Sequence, residues 1–225
     1  DTVTMINSAT GTIALAAGTN IVNVGNSVDI TGAAITAVDG TYDVNLTGTD
    51  ASSTMTSAQL KAATSFTESS VGAKTVTVTG ALTAETISAT IDTLVLADAT
   101  NEVTLGATGQ SVTGNAGADT VTMIDGATGT IALAAGTNIV NVGDNLDISG
   151  ATLSKSGGGT LALNLSGSAI SSVTVAAAHL TTADTMTEAS DGAKTVTTVG
   201  ALTGYTLHTT IDTLVLADAT NEVTL

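Results

Sequence analysis

The sequence has no cysteine, no proline, no tryptophan and no arginine, and only two tyrosines and one phenylalanine. Each absence excludes something. Without cysteine there are no disulfides, no thiolate metal sites and no thiol nucleophile. Four lysines face twenty acidic residues, for a net charge of −16, so the cationic face that a phosphate backbone requires is missing and nucleic acid is excluded as a partner. No apolar run approaches the ~18 residues of a membrane-spanning helix, so no membrane span is expected. With so few aromatics, the core must be built from Val, Ile, Leu and Ala, which suits thin stacked β-layers. Ordinary usage predicts roughly eleven prolines in such a chain. Their absence fits a continuous hydrogen-bonded ladder, to which proline cannot donate.

What is present is repetition. Residues 1–25 read DTVTMINSATGTIALAAGTNIVNVG, and residues 119–143 read DTVTMIDGATGTIALAAGTNIVNVG. Residues 91–105, IDTLVLADATNEVTL, return unchanged as 211–225. The chain is therefore two copies of one long unit, residues 1–118 and residues 119–225. The first copy continues through GATGQSVTGNAGA at 106–118, where the second stops, which is expected of a slice from a longer array. The offset between copies drifts from 118 to 120 residues. That places one extra residue near 157–159 and another between Ser172 and His179, both expected in surface turns.

Threonine makes up about a fifth of the chain and, with Val and Ile, biases the backbone to strand. The apolar residues come in short bursts, TVTM, TIAL, NIVNV and VDI, with the strand period of two. Val103, Val112 and Val121 lie nine apart and Ile131 follows after ten, the length of one short strand and one tight turn. This predicts an all-β, parallel β-solenoid, β-helix- or β-roll-like, built from two long tandem repeats. The competing architecture is a pair of tandem immunoglobulin-like β-sandwiches. A 118-residue period is long for a sandwich of about 100 residues, and the Trp, Pro and Cys anchors are missing. A short helical turn is expected after the cap candidates Thr56 and Ser57, where Leu60 returns as Leu180. The TLVL run at 93–96 is expected to be buried on both faces. Lys74 and Lys194, which lead into strands, are expected to be solvated.

Residues 114–122, GNAGADTVT, match the calcium-binding β-roll nonapeptide at Gly114, Gly117, Asp119 and Val121, with Asn115 in place of its second glycine. The segment resembles RTX repeats, and the Thr, Ala and Gly richness of the whole chain resembles bacterial S-layer and giant repetitive adhesin proteins. That resemblance implies calcium held between turns, with Asp119 as the ligand and Asp1 as its repeat equivalent. It also implies an extracellular, cell-surface location, self-assembly with identical subunits or further repeats, and contact with surface glycan. Nine residues either side of Asp119 stand Gln110 and Thr128, so no ladder of aspartates exists, and one carboxylate is thin for an ion that takes six to eight oxygens. A turn aspartate bonding its own backbone is the alternative.

The remaining shared acids, Asp29 with Asp147, Glu68 with Glu188, Asp92 with Asp212, Asp98 with Asp218 and Glu102 with Glu222, recur because the unit recurs, as a solvated face would. His179 and His208 stand where the first copy has Gln59 and Ser88, so neither belongs to the common unit. With arginine and cysteine also absent, the pattern argues against an enzyme. The function expected is that of a structural extracellular repeat protein. The alternative is a binding module that grips glycan, ice or mineral with outward rows such as Thr75, Thr77 and Thr79. The second copy reads Thr195, Thr197 and Thr198, which is expected to break such a row.

Overall fold

Nine residues carry the chain from one side of the molecule to the other, and eighteen or nineteen bring it back. Val103 pairs with Val121 in one sheet, whereas Val112 pairs with Ile131 in another. The computed structural model describes residues 1–38, 41–168 and 170–225. It is a β-solenoid of about ten turns, nearly all strand, in which the strands stack in parallel. Parallel stacking rules out the immunoglobulin-like alternative, whose strands run antiparallel.

One face carries the strands Thr2–Thr4, Ile21–Val24, Tyr42–Leu46 and Ala63–Glu68, then a six-stranded sheet from Glu85–Thr86 to Thr185–Glu188, then Tyr205–Thr206 and Val223–Thr224. The opposite side carries a seven-stranded sheet that includes Ser52–Thr56, Thr75–Thr79, Thr93–Val95, Ser111–Thr113, Thr130–Leu133 and Thr152–Lys155. A three-stranded sheet follows, Ser171–Ala176, Lys194–Val199 and Thr213–Val215.

Alternation then builds the core in columns. Val103, Val121, Val140, Leu163 and Met186 are register neighbours on one face, and Val76, Leu94, Val112, Ile131 and Leu153 on the other, all buried. Aliphatic side chains at every rung suffice because each layer is only as thick as a strand spacing, about 4.8 Å. Within TLVL, Leu94 and Leu96 are buried but Val95 is half-exposed. The expectation of burial on both faces is corrected: the run alternates like the others, since only one face of each sheet meets the core.

Some rungs lengthen to 22 or 23 residues. Two of these long rungs hold the helices α1 (Ser57–Ala62) and α2 (Ala177–Thr182), with Leu60 and Leu180 buried beneath them. In α1, Thr56 Oγ1 accepts from Gln59 N at 3.1 Å and Gln59 Oε1 accepts from Thr56 N at 2.7 Å, a capping box. Six-residue helices are too short to stand alone and depend on the strands below.

The first extra residue of the second copy falls in the turn between Thr152–Lys155 and Thr160–Leu165, as expected; residues 39 and 40 of the matching turn lie outside the described residues. The second is displaced from its expected position. Ser52 pairs with Thr75 and Ser172 with Thr195, so the copies are already 120 apart at Ser172. Leu46 and Leu165 are 119 apart, which places the extra residue in the turn at 166–170, of which residue 169 lies outside the described residues. An insertion inside the strand Ser171–Ala176 would have turned its core residues outward.

Candidate functional site

Asp119 sits in strand Asp119–Thr122, wholly buried, and not in a turn. Its neighbours in register are Asn101 on one side and Asn138 on the other. Asn101 Nδ2 donates to Asp119 Oδ1 at 2.8 Å, and Asp119 N donates to Asn138 Oδ1 at 3.0 Å. Asn20, Asn101, Asn138 and Asn221 each donate a side-chain N–H to the carbonyl four residues back, at Ala16, Ala97, Ala134 and Ala217. Asp119 is thus the one acid in an internal amide ladder. Its Oδ2 is buried with no partner, and burial raises its pKa above 3.8.

Glycines of the nonapeptide follow from this packing. A Cβ on Gly114 would lie 2.2 Å from Asp119 Oδ2, and one on Gly117 would lie 1.8 Å from Ala99 O in the rung beneath. Asp1 at the first rung shares only the main-chain part of this: its amino group donates to Asn20 Oδ1 at 3.1 Å, but the residue is exposed and its carboxylate accepts from Ala16 N at 2.7 Å and not from an asparagine. The two aspartates lie many rungs apart and are not brought together. Among the described residues no three His, Asp or Glu side chains converge as a metal cluster.

Lys74 and Lys194 are fully buried, which corrects the expectation that they are solvated. Lys74 Nζ donates to Ser70 O at 2.8 Å and Gly72 O at 2.6 Å, and pairs with Glu68 at 3.1 Å. Lys194 Nζ donates to Ser168 O at 2.9 Å and lies 3.8 Å from Glu188. Each lysine pins the long loop beside it, and its own backbone N–H donates to Asp92 or Asp212 at 2.7 Å. Asp29 and Asp147 accept both the N–H and the hydroxyl of Thr31 and Ser149, and those bonds lower their pKa. Several of the shared acids are therefore structural groups rather than a uniformly solvated face. Spacing gave no hint of this, because the partners are carbonyls and backbone N–H groups that every residue carries.

Corners between rungs are clamped by side-chain amides. Gln59 Nε2 donates to Ile30 O and Ala33 O, and Gln110 Nε2 donates to Ser88 O and Ile91 O, at 2.7 to 2.8 Å. In the second copy His179 replaces Gln59: its Nδ1 accepts from Ala176 N at 3.3 Å and its Nε2 faces Ala151 O at 2.9 Å. The ring is almost wholly buried, and burial lowers its pKa below 6.5. Its neutral form, proton on Nε2, satisfies both partners.

The two outer faces differ in kind. Thr4, Asn23, Asn45 and Thr67 form a hydrogen-bonded column on one face, and Thr122, Asn141, Asn164 and Thr187 repeat it in the second copy. On the opposite sheet, Ser52, Thr75, Thr93 and Ser111 stand in register, followed by Thr130 and Thr152. Beside them run Thr54, Thr77, Val95, Thr113, Ala132 and Ser154. Within these columns the one side-chain bond among the described residues runs from Thr130 N to Ser111 Oγ, at 3.0 Å. The columns present hydroxyls, interrupted at Val95 and Ala132, spaced about 4.8 Å across strands and about 6.7 Å along them. Thr198 does not break the pattern as expected: Thr195 and Thr197 stay outward, opposite Ser172 and Thr174, while Thr198 turns inward to Val215 O.

A cleft of about 330 Å³ opens where strand pairing lapses between Ala63–Glu68 and Glu85–Thr86, over Leu60, Phe66, Ile87 and Leu94. In the second copy Tyr205 stands at the position of Glu85, and its hydroxyl reaches Met186 Sδ at 3.5 Å across the same lapse.

No protein-family model, no curated protein and no solved structure matches this chain. Among the described residues, no helix is long and apolar enough to cross a membrane.

Proposed function

We propose that this is a structural, extracellular repeat protein, a length of bacterial surface layer, fibre or adhesin stalk in which β-solenoid units are added end to end. One observation carries the reading: the junction between the two units is an ordinary rung contact. Asn101–Thr104 pairs with Asp119–Thr122 in the same parallel register as strands within a unit, and the amide ladder runs across the boundary. Units so joined give a stiff rod without a hinge, because each repeat packs on its neighbour over its whole cross-section. The acidic surface supports the location, since a large net charge keeps an extended rod soluble and apart from its neighbours.

The test is a chain carrying one additional 118-residue unit, viewed by negative-stain electron microscopy and sedimentation. Six rungs per unit at ~4.8 Å predict a rod about 29 Å longer. Rods of that length meeting at their ends support the reading; beads on a string, or rods that never meet end to end, overturn it.

The regular hydroxyl columns favour a second reading, a binding module for an ordered surface such as glycan, ice or mineral. Thr77→Leu and Thr113→Leu would leave the core untouched and abolish adsorption to such a surface. Unchanged adsorption in the double variant would remove this reading.

A further inference from the structure

One position in the core column carries a carboxylate. Val3, Val22, Val44 and Phe66 are register neighbours in one sheet, and Glu85 heads the next run, above Val103, Val121 and Val140. Glu85 therefore stands where its neighbours in the column turn apolar side chains inward. It is half-buried, and among the described residues no hydrogen bond or ion pair engages its carboxylate. A polar group turned toward an apolar core is the exception that asks for a partner. The chain has no cation to spare for it. Lys74 and Lys194 are held by the carbonyls of their own loops, Lys155 pairs with Asp184, and Lys61 donates to Thr83 O at 3.3 Å.

Glu85 lines the cleft of about 330 Å³ where strand pairing lapses between Ala63–Glu68 and Glu85–Thr86. The apolar walls, Leu60, Phe66, Ile87, Ile91 and Leu94, are held in place from both sides. Thr90 Oγ1 bridges the lapse to Phe66 O at 2.8 Å, and Gln110 Nε2 fixes Ser88 O and Ile91 O. Ligand cavities run from about 300 to 1,000 Å³, so this one takes a single ring and a short tail.

The second copy shows what fits such a lapse. Thr210 Oγ1 makes the same bridge, to Met186 O at 3.2 Å, but Tyr205 stands in place of Glu85. Its half-buried ring packs against the core, and its hydroxyl reaches Met186 Sδ at 3.5 Å. One lapse is thus spanned by an aromatic ring of the chain itself, and the other is lined by an unpaired acid. Another copy of this chain has no ring to offer, because Tyr42 and Phe66 are buried and Tyr205 is engaged.

We propose that the cleft at Glu85 binds a small arylalkylamine, one aromatic ring with a short ammonium tail. The ring lies against Phe66 and Ile87, as Tyr205 lies against Met186 in the second copy, and the ammonium pairs with the Glu85 carboxylate. Each half does separate work: burial of the ring supplies affinity, and the charge-assisted hydrogen bond at the mouth supplies selection for a cation.

The probe is tyramine, titrated into the 225-residue protein while the methyl resonances of Leu60, Ile87 and Ile91 are followed by NMR. Saturable shifts are expected at these methyls and none at Leu207, the counterpart of Ile87 beside Tyr205. N-acetyltyramine keeps the ring without the charge, and butylamine keeps the charge without the ring. Each should bind at least about tenfold more weakly than tyramine, and tyramine should bind Glu85→Gln more weakly by the same factor. Glu85→Gln keeps the shape of the side chain, and an unchanged methyl spectrum without ligand shows that it folds. Glu85→Tyr, which brings in the residue of the second copy, should abolish the shifts. Absent shifts, shifts of equal size at Leu207, or parental affinity in Glu85→Gln would overturn the proposal. So would N-acetyltyramine binding as tightly as tyramine, which would make the occupant an uncharged ring such as an aromatic side chain of a protein partner.

Discussion

Asp119 shows how one atom decides a residue's worth. Its Oδ2 is buried without a partner, whereas every asparagine of the ladder offers an N–H at that place to a carbonyl four residues back. Asp119→Asn is therefore expected to stabilise at neutral pH by on the order of 1 kcal/mol, the cost of a buried unsatisfied polar atom. The pH dependence has a definite sign. Because the folded pKa is raised, the contribution of Asp119 is fully present below pH 3.8 and is lost as pH rises through the folded value, so the advantage of the variant appears across that window and vanishes in acid. Urea midpoints of both proteins from pH 3 to 7 check it. His179 has the opposite sign. Its folded pKa is lowered, so its contribution is complete above pH 6.5 and withdrawn as pH falls below it, when a proton on Nδ1 would confront Ala176 N–H. His179→Gln, which restores the residue of the first copy, should flatten thermal stability between pH 7 and 5 relative to the parent. A parent protein equally stable at both pH values would contradict this account.

At the scale of elements, strands were legible and corners were not. Alternation, the nine-residue spacing and the absence of proline predicted short parallel strands because all three are local consequences of a ladder. The cap at Thr56 was legible for the same reason, since its partner Gln59 is three residues away. The corner clamps were missed. Gln110 reaches Ser88 O across 22 residues and Gln59 reaches Ile30 O across 29, and nothing in the sequence marks a carbonyl as short of a donor. Gln110 holds two carbonyls and accepts from Gly106 N and Ala107 N, so Gln110→Ala is expected to cost about 3 kcal/mol through groups left unsatisfied. Gly117→Ala should be no milder, because its Cβ would meet Ala99 O at 1.8 Å in a backbone that has no room to retreat. Thermal unfolding of the two variants, with the exposed Thr108→Ala as a neutral control, measures both.

The whole molecule behaves as a one-dimensional stack, in which each rung is stabilised by the rungs on either side. Identical sequences should then differ in local stability according to position alone. In this 225-residue chain the amides of 93–96 are expected to exchange far more slowly than those of 213–216, by at least about a hundredfold, because among the described residues only the former lie between two strands. Equal exchange at Leu94 and Leu214 would mean that stability resides within rungs rather than between them, against the stacking picture.

By itself the sequence determined the backbone: two long repeats, short strands separated by tight turns and a core almost without aromatics all follow from spacing and side-chain size. What it could not determine was which side of each surface a residue occupies once rungs meet. Lys74 and Asp119 are charged residues drawn into the interior, Thr198 turns into a core column where Val78 stands in the first copy, and Leu105 and Leu225 share fifteen residues of context yet are buried and bare. Burial belongs to the neighbours in the stack, 18 to 23 residues away along the chain, and only the folded solenoid brings those neighbours together.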